Sequence, residues 1–245
     1  MPDSNEQSIQ ISIGSVSLSG DLNIPHGAQG VVLFAHGSGS GRHSPRNRYV
    51  AKVLREEASL GTLLFDLLTE DEELVDEQTR HLRFDIGLLA DRLIGATDWL
   101  LQQRFDASNS DNIPSIGYFG ASTGAAAALV AAAKRADIIK AVVSRGGRPD
   151  LAGDVFLNQV RAPTLLLVGG NDEQVIVLNQ EAYDKLKLLK EEDEKRLTII
   201  PGATHLFEEP GKLEEVAQLA GGWFACFLRH QTTRMGADKL GATTE

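Results

Sequence analysis

The stretch 116–133 constrains the fold of this chain more than any other. Four residues with the character of a buried strand lead into Gly-Ala-Ser-Thr-Gly at 120–124, and an alanine-rich run follows. A strand that turns through Gly-x-Ser-x-Gly into a helix is typical of a nucleophile elbow, which holds its serine in a strained conformation at the end of a sheet. The flanking glycines leave room for the neighbouring backbone. The alternative is a glycine-rich turn in which Ser122 caps the helix.

Strand and helix patterns alternate along most of the chain. Apolar runs typical of buried strands occur at 31–35, 62–67, 138–144, 164–168 and 196–200, and helical spacing occurs at 46–59, 82–105, 174–189 and 213–230. This alternation predicts a mostly parallel central sheet with helices on both faces. The alternating pattern at 8–18 predicts an antiparallel N-terminal strand pair. We therefore expect one α/β domain at 8–230, with flexible termini at 1–7 and 231–245.

Two segments between these elements have less regular patterns. The acidic segment 69–80 has no clear period and is expected to be an external connection, and 106–114 is a polar link before the elbow strand. Segments 69–81 and 145–160 are the candidate pieces of a lid. The chain has little room for a large cap domain, so the sequence favours a fairly open site. Neither segment is strongly amphipathic, which argues against lipase activity.

Composition excludes several classes of protein. The formal net charge of −10 argues against a sequence-independent hold on nucleic acid, which depends on clustered Lys and Arg. No apolar run approaches the roughly 20 residues of a membrane span, and the N-terminus lacks the pattern of a signal peptide. We therefore expect a cytoplasmic protein with no membrane partner. Cys226 is the single cysteine and lies in an apolar run, so we expect a small core residue there.

Two further polar residues follow predicted strands. Asp172 comes after the strand at 164–168, and His205 comes after the strand at 196–200. Because the carboxyl ends of parallel strands meet at one edge, both can reach Ser122. A neutral imidazole can take the serine proton, and a carboxylate fixes the tautomer of that imidazole. Taken singly, Asp172 is more typical of a turn residue, and His205 of a residue that caps a helix or lies in the core. Glu173 and Asp66 are the alternatives for the acid.

Acyl transfer also requires hydrogen-bond donors for an oxyanion. One donor is expected from the backbone N–H of Thr123, the residue after the nucleophile, and the other from the loop after the first buried strand. In that loop Ser38 is the expected donor and Gly39 the alternate, whereas His36 is expected to be structural.

These motifs together resemble one family. His-Gly-Ser-Gly at 36–39, Gly-Ala-Ser-Thr-Gly at 120–124, Asp172 and Gly-Ala-Thr-His-Leu-Phe at 202–207 are similar to those of the dienelactone-hydrolase-like group of α/β hydrolases. The resemblance implies an α/β-hydrolase fold and cleavage of an ester or related acyl bond of a small-molecule substrate, with no cofactor or metal. Dienelactone hydrolases proper use a cysteine nucleophile, so Ser122 favours a serine esterase-like enzyme instead.

Two arginine-rich stretches, at 42–48 and 145–148, follow strands and are expected near the mouth of the site. Arg145 and Arg148 are the candidates for holding a carboxylate or phosphate on the substrate. The alternative is structural pairing with Asp66, Asp150 or the acidic 70–77 segment.

Two other classes of protein compete with the hydrolase. The glycine loop at 37–41 and Asp66 come close to a dinucleotide-binding pattern, although the glycine spacing departs from it. A non-catalytic scaffold with a hydrolase fold is the other alternative, because fold alone does not determine function. The sequence carries no signal for an oligomeric state.

Overall fold

A computed structural model of the protein describes residues 6–103, 115–191 and 193–229. The strands are β1 (Glu6–Ile13), β2 (Val16–Asn23), β3 (Gly30–Ala35), β4 (Gly61–Phe65), β5 (Ser115–Ala121), β6 (Ile139–Arg145), β7 (Thr164–Gly169) and β8 (Lys195–Ile200). The α-helices are α1 (Pro45–Ala58), α2 (Glu70–Thr79), α3 (Ile86–Gln102), α4 (Thr123–Lys134), α5 (Asp154–Leu157), α6 (Glu173–Lys185) and α7 (Lys212–Leu228). Short 3₁₀ helices lie at Leu82–Phe84 and Pro149–Ala152.

The eight strands form one sheet in the order β1-β2-β4-β3-β5-β6-β7-β8. The pairs β1–β2 and β2–β4 are antiparallel, and every other neighbouring pair is parallel. The predicted fold class, a mostly parallel sheet with an antiparallel N-terminal pair, is therefore confirmed. The chain order doubles back between β4 and β5, and β5 at the centre of the sheet carries the elbow.

An apolar core lies on each face of the sheet. On one face α3, α4 and the loop after β6 cover a cluster that includes Leu33, Tyr118 and Val142. On the other face α1 and α7 cover a cluster that includes Phe34, Phe119 and Val143. Consecutive residues of β3, β5 and β6 thus point to opposite cores, which explains why these strands are apolar without interruption.

The acidic segment is a helix rather than an irregular connection. In α2 the Thr69 Oγ1 accepts the N–H of Glu72, while the Glu72 carboxylate accepts the N–H of Thr69. Four acidic residues also occupy the first turn, where the positive end of the helix dipole stabilises them. Only Asp76 of this helix is buried, so no apolar periodicity marked the helix in the sequence.

Three further expectations are corrected or limited at the ends of the chain. Strand β1 begins at Glu6, so two residues assigned to the flexible N-terminus belong to the sheet. Cys226 is exposed, because it lies on the face of α7 that is turned away from the core. The polar link 106–114 and the termini 1–5 and 231–245 lie outside the described residues.

Glycine at position 124 allows α4 to approach the sheet. A Cβ at Gly124 would lie 2.1 Å from the carbonyl oxygen of Ala35 and 2.5 Å from that of His36. Gly120 has a similar constraint, since its Cβ would lie 2.4 Å from the Cα of Ala125. Backbone atoms cannot move aside as a flexible side chain can, so these two positions exclude any larger residue.

We predict that Gly124→Ala lowers the free energy of unfolding by about 3 kcal/mol, the upper range for overpacking against a rigid neighbour. Gly222→Ala is the matched control, because Gly222 is exposed in α7 and an added Cβ would meet nothing within 4 Å. That control should instead raise the free energy of unfolding by about 0.5–1 kcal/mol through helix propensity. Urea unfolding of both variants measures the difference, and equal effects of the two substitutions would contradict this account.

Candidate active site

Ser122 occupies a strained turn between β5 and α4. Its φ of 50° and ψ of −121° are rare for a residue with a side chain. The Ser122 N–H donates to the carbonyl of Arg145 at 3.2 Å, and the Ser122 carbonyl accepts from the N–H of Arg148 at 3.0 Å. The side chain makes no capping hydrogen bond to α4, so the alternative of a capping serine is wrong. The half-buried hydroxyl thus lies at the positive end of α4.

Asp172 and His205 are hydrogen-bonded to each other. The Nδ1 of His205 lies 2.6 Å from the Oδ2 of Asp172, and the two side chains are 38% and 17% exposed, respectively. Asp172 precedes α6 but does not cap that helix, so its carboxylate is available to the imidazole. Glu173, the neighbouring substitute acid, is exposed. This pairing is the arrangement that orients a general-base histidine.

Glycines bring the supporting loops into contact. A Cβ at Gly169 would lie 2.5 Å from the carbonyl oxygens of both Ala203 and Thr204, so the loops after β7 and β8 approach closely. The N–H of Asn171 also donates to the carbonyl of Ala203 at 2.9 Å. Gly146, with a φ of +49°, lies against His205, since its Cβ would be 3.5 Å from the imidazole Cε1. The loop after β6 therefore reaches the histidine as well as the serine.

The loop after β3 lies directly against the elbow. A Cβ at Gly37 would lie 3.1 Å from the Cβ of Ser122. Ser38 follows as an exposed residue, and Thr123 is buried in the first turn of α4. The two segments expected to donate to an oxyanion are thus neighbours, as that prediction requires, and the donor roles of Ser38 and Thr123 stay predictions.

His36 fixes this loop through both nitrogens of its ring. The Nε2 accepts the N–H of Leu67 at 3.0 Å, and Nδ1 lies 3.0 Å from the carbonyl oxygen of Gly37, to which it donates as the neutral tautomer. Burial lowers the pKa of His36 below its ordinary value of 6.5, against the opposing effects of the Gly37 carbonyl and Asp66. These contacts agree with the structural role that the sequence predicts for His36.

The Asp66 carboxylate contacts Arg42 and not His205. It forms an ion pair with the guanidinium of Arg42 and accepts the backbone N–H of Arg42 at 2.7 Å. A Cβ at Gly41 would also lie 2.8 Å from its Oδ1, so the carboxylate packs on the glycine loop. The Asp66 carboxylate therefore holds the glycine loop in place. This position favours neither a role for Asp66 as the acid that pairs with His205 nor a role in binding the ribose of a dinucleotide.

The two candidate substrate-binding arginines have different surroundings. Arg148 forms two hydrogen bonds to Asp150, Nε to Oδ1 at 2.8 Å and Nη2 to Oδ2 at 2.7 Å, which is the structural pairing considered as the alternative. Arg145 is only 7% exposed, and its Nε and Nη1 have no hydrogen-bond partner among the residues that the structure describes. The sequence could not separate the two arginines, because it placed both in one loop three positions apart, whereas the structure makes Arg145 the last residue of β6.

The arginines at 42–48 are paired with carboxylates. Arg42 pairs with Asp66, Arg46 Nη1 lies 3.0 Å from the Oε1 of Glu208, and Arg48 Nη2 lies 2.7 Å from the Oε1 of Glu6. These contacts attach the start of α1 to β4, to the histidine loop and to β1.

Within 6–103, 115–191 and 193–229, no three His, Cys, Asp or Glu side chains come together in a way that could hold a metal ion. None of the helices described for the chain combines the length and apolar character that a membrane crossing demands.

The sheet order and the elbow define an α/β hydrolase. A scan against protein-family models finds no match. A dienelactone hydrolase from Anabaena variabilis ATCC 29413 is 59% identical, with a TM-score of 0.83, and the alignment covers 91% of this chain and 98% of that one. The chain belongs to the dienelactone hydrolase family.

Two other similarities add to this comparison. An α/β serine hydrolase without lid from Xanthomonas campestris shares the fold at 22% identity, with a TM-score of 0.66 over 91% of this chain and 94% of that chain. Two provisionally named phosphoribosyl transferases of Mycobacterium tuberculosis are 55% identical over 223 residues, which is 91% of this chain. The chain spans about half the length of these curated relatives, 47%.

The contacts of His36 predict a specific pH dependence of stability. Between the lowered pKa of the folded state and the ordinary 6.5 of the unfolded state, only the unfolded chain binds the proton. Acidification below pH 6.5 therefore favours unfolding, by up to about 1.4 kcal/mol per pH unit for one such group.

We expect the free energy of unfolding of the wild type to fall more steeply between pH 7 and pH 5 than that of His36→Gln. Glutamine is the control side chain because it keeps a donor and an acceptor but does not titrate. Chemical unfolding at several pH values measures both slopes. Parallel curves for the two proteins would show that His36 is not the group that titrates.

Proposed function

We propose that this protein is a serine hydrolase that cleaves an ester or related acyl bond of a small-molecule substrate through an acyl-enzyme. The observation that carries the proposal is the 2.6 Å contact between His205 Nδ1 and Asp172 Oδ2. The loop after β6 contacts both His205 and the strained turn of Ser122, which supports a role for the pair beside that serine. The membership of the dienelactone hydrolase family supports the same reaction class.

In this mechanism Asp172 holds Nδ1–H of His205, which leaves Nε2 free to accept the Ser122 proton. The serine oxygen attacks the acyl carbon, and the N–H groups of Thr123 and Ser38 stabilise the resulting oxyanion. His205 then gives its proton to the leaving alcohol, and the acyl group stays on Ser122. A water molecule, deprotonated by His205, attacks the acyl-enzyme in the same way and releases the acid.

Serine at the nucleophile position favours an esterase over a dienelactone hydrolase in the strict sense. A serine hydroxyl needs a base to lose its proton, and the His205–Asp172 pair is suited to that task. The neighbour from Xanthomonas campestris is a serine hydrolase without lid, which fits the open site expected from the sequence. The cytoplasmic location and the small-molecule partner expected from the sequence stay predictions.

An anionic substrate is part of this proposal. Arg148 is already paired with Asp150, whereas the Nε and Nη1 of Arg145 have no hydrogen-bond partner among the described residues. Of the two arginines expected to bind substrate, Arg145 is therefore the one that we retain.

A fluorophosphonate probe tests the reaction directly. We expect the wild type to become labelled at Ser122 and to hydrolyse p-nitrophenyl acetate, and Ser122→Ala to lose both properties. Asp172→Asn should lower kcat/KM by roughly three to four orders of magnitude, because the imidazole loses its correct tautomer.

Glu173→Gln is the matched control, since Glu173 neighbours Asp172 but is exposed and begins α6. It should keep kcat/KM within about threefold of the wild type, as expected for a surface change. A wild type that is folded but neither labelled nor active would leave the non-catalytic scaffold as the better account.

A further inference from the structure

Helix α6 has an asparagine in the centre of its buried face. The buried residues of this helix are Val175, Asn179 and Ala182, whose spacing of four and three residues defines one side of a helix. Val175 and Ala182 are the apolar residues that such a face usually carries, whereas Asn179 is polar and has 0% exposure. Asparagine is also a weak helix former compared with alanine or leucine. The reason for this residue must therefore lie in what its side chain contacts.

The Asn179 amide binds the loop after β6. Its Nδ2 donates to the carbonyl oxygen of Gly147 at 3.0 Å and to that of Val175, one turn earlier in α6, at 2.8 Å. Because carbonyl oxygens only accept, both hydrogens of the amide nitrogen are used. The Asn179 Oδ1 is buried and has no hydrogen-bond partner among the described residues, an arrangement that costs stability. The donating end of the side chain is thus the end that the structure uses.

The loop that this amide binds supports the backbone of Ser122 on both sides. The Arg145 carbonyl accepts the Ser122 N–H at 3.2 Å, and the Arg148 N–H donates to the Ser122 carbonyl at 3.0 Å. Gly147 lies between these two residues in the chain and is itself buried. A shift of the Gly147 carbonyl would therefore move the two supports of the strained serine.

The same helix carries Asp172 at its N-terminal end. The Asp172 carbonyl accepts the N–H of Ile176 at 2.9 Å, so the acid is attached to the first turn. Asn179 follows Asp172 by seven residues, about two turns of a helix, which places both on one side of α6. The loop after β6 also lies against His205, through Gly146, and His205 is hydrogen-bonded to Asp172. One helix thus joins the position of the acid to that of the loop that supports the nucleophile.

We propose that Asn179 is a positioning residue of the active site, which holds residues 145–148 against α6 and so aligns Ser122 with the His205–Asp172 pair. This inference rests on the proposed hydrolase function and adds a residue that acts only through the Gly147 carbonyl. Without the amide, that buried carbonyl would lose a donor, and the loop would shift toward another one. A displacement of about 1 Å between reacting groups can lower a rate by about a hundredfold.

Asn179→Leu removes the amide and keeps a side chain of similar size. We expect kcat for p-nitrophenyl acetate to fall by about 10- to 100-fold, with KM within about threefold of the wild type, because the alignment changes and the substrate contacts do not. Fluorophosphonate labelling of Ser122 should slow by a similar factor. Gln180→Leu is the matched control, since Gln180 carries the same amide one position further on but is exposed. Its kcat should stay within about twofold of the wild type, as expected for a surface change.

Ala182→Gly separates positioning from a general weakening of α6. Ala182 lies on the same buried face, three residues after Asn179. Glycine lowers the helix propensity there, so we expect the Tm to fall by about 3 °C or more. The kcat of this variant should nevertheless stay within about twofold of the wild type, because the amide contact to Gly147 is kept. A loss of kcat as large as that of Asn179→Leu would overturn the proposal.

Asn179→Asp provides a pH profile that reports on donation to the Gly147 carbonyl. A neutral carboxyl group can donate its O–H to that oxygen, whereas a carboxylate can only accept and is repelled by it. Burial raises the pKa of a carboxyl group introduced there. The kcat of Asn179→Asp relative to the wild type should therefore fall by at least about fivefold from about pH 5.5 to pH 8.5. Groups that titrate in both proteins, His205 and Asp172 among them, cancel in this ratio, and a constant ratio would overturn the proposal.

The outcomes for the wild type distinguish this inference from the proposed function. A wild type that is labelled and active, together with an Asn179→Leu variant of equal kcat and labelling rate, would overturn the role of Asn179 and leave the serine hydrolase intact. A wild type that is folded but neither labelled nor active would overturn both.

Discussion

The close approach of α4 to β3 is the constraint on which the site depends. Gly124 lies so near the carbonyls of Ala35 and His36 that no Cβ fits between them. This contact places the positive end of α4 behind Ser122 and brings the loop after β3 to the same point. The strained φ of Ser122 persists because packing on both sides determines the path of the chain there.

Ion pairs hold the loop before α1 and the start of that helix in place beside the site. Arg42, Arg46 and Arg48 each contact a carboxylate on a different segment, so the start of α1 is attached to its surroundings by charge. Partly exposed pairs of this kind add little stability singly, but they restrict where a loop can lie. Arg145 differs from them, because it is buried and two of its donors have no partner in the described part of the chain. That contrast separates the arginines that hold the loops from Arg145, for which a role in binding substrate stays a prediction.

Sequence reasoning was most successful where burial forces a pattern. The apolar runs of β3 and β7 and the helical spacing of α1 identified their elements, since both faces of the sheet are covered. It failed for α2, whose stability comes from a capping box and acidic first-turn residues rather than from a buried face. It also misplaced Cys226, because an apolar run in a helix does not show which residue faces outward.

The sequence by itself determined the class of fold, the elbow and the chain order of Ser122, Asp172 and His205, because these follow from local patterns and from the rule that parallel strands end at one edge. Only the tertiary structure decided that Asp172, rather than Asp66 or Glu173, contacts His205. It also decided that Arg148 pairs with Asp150, whereas two donors of Arg145 have no partner within the described residues. Such choices depend on angstrom-scale distances between loops far apart in the chain, and residue types alone carry no information about those distances.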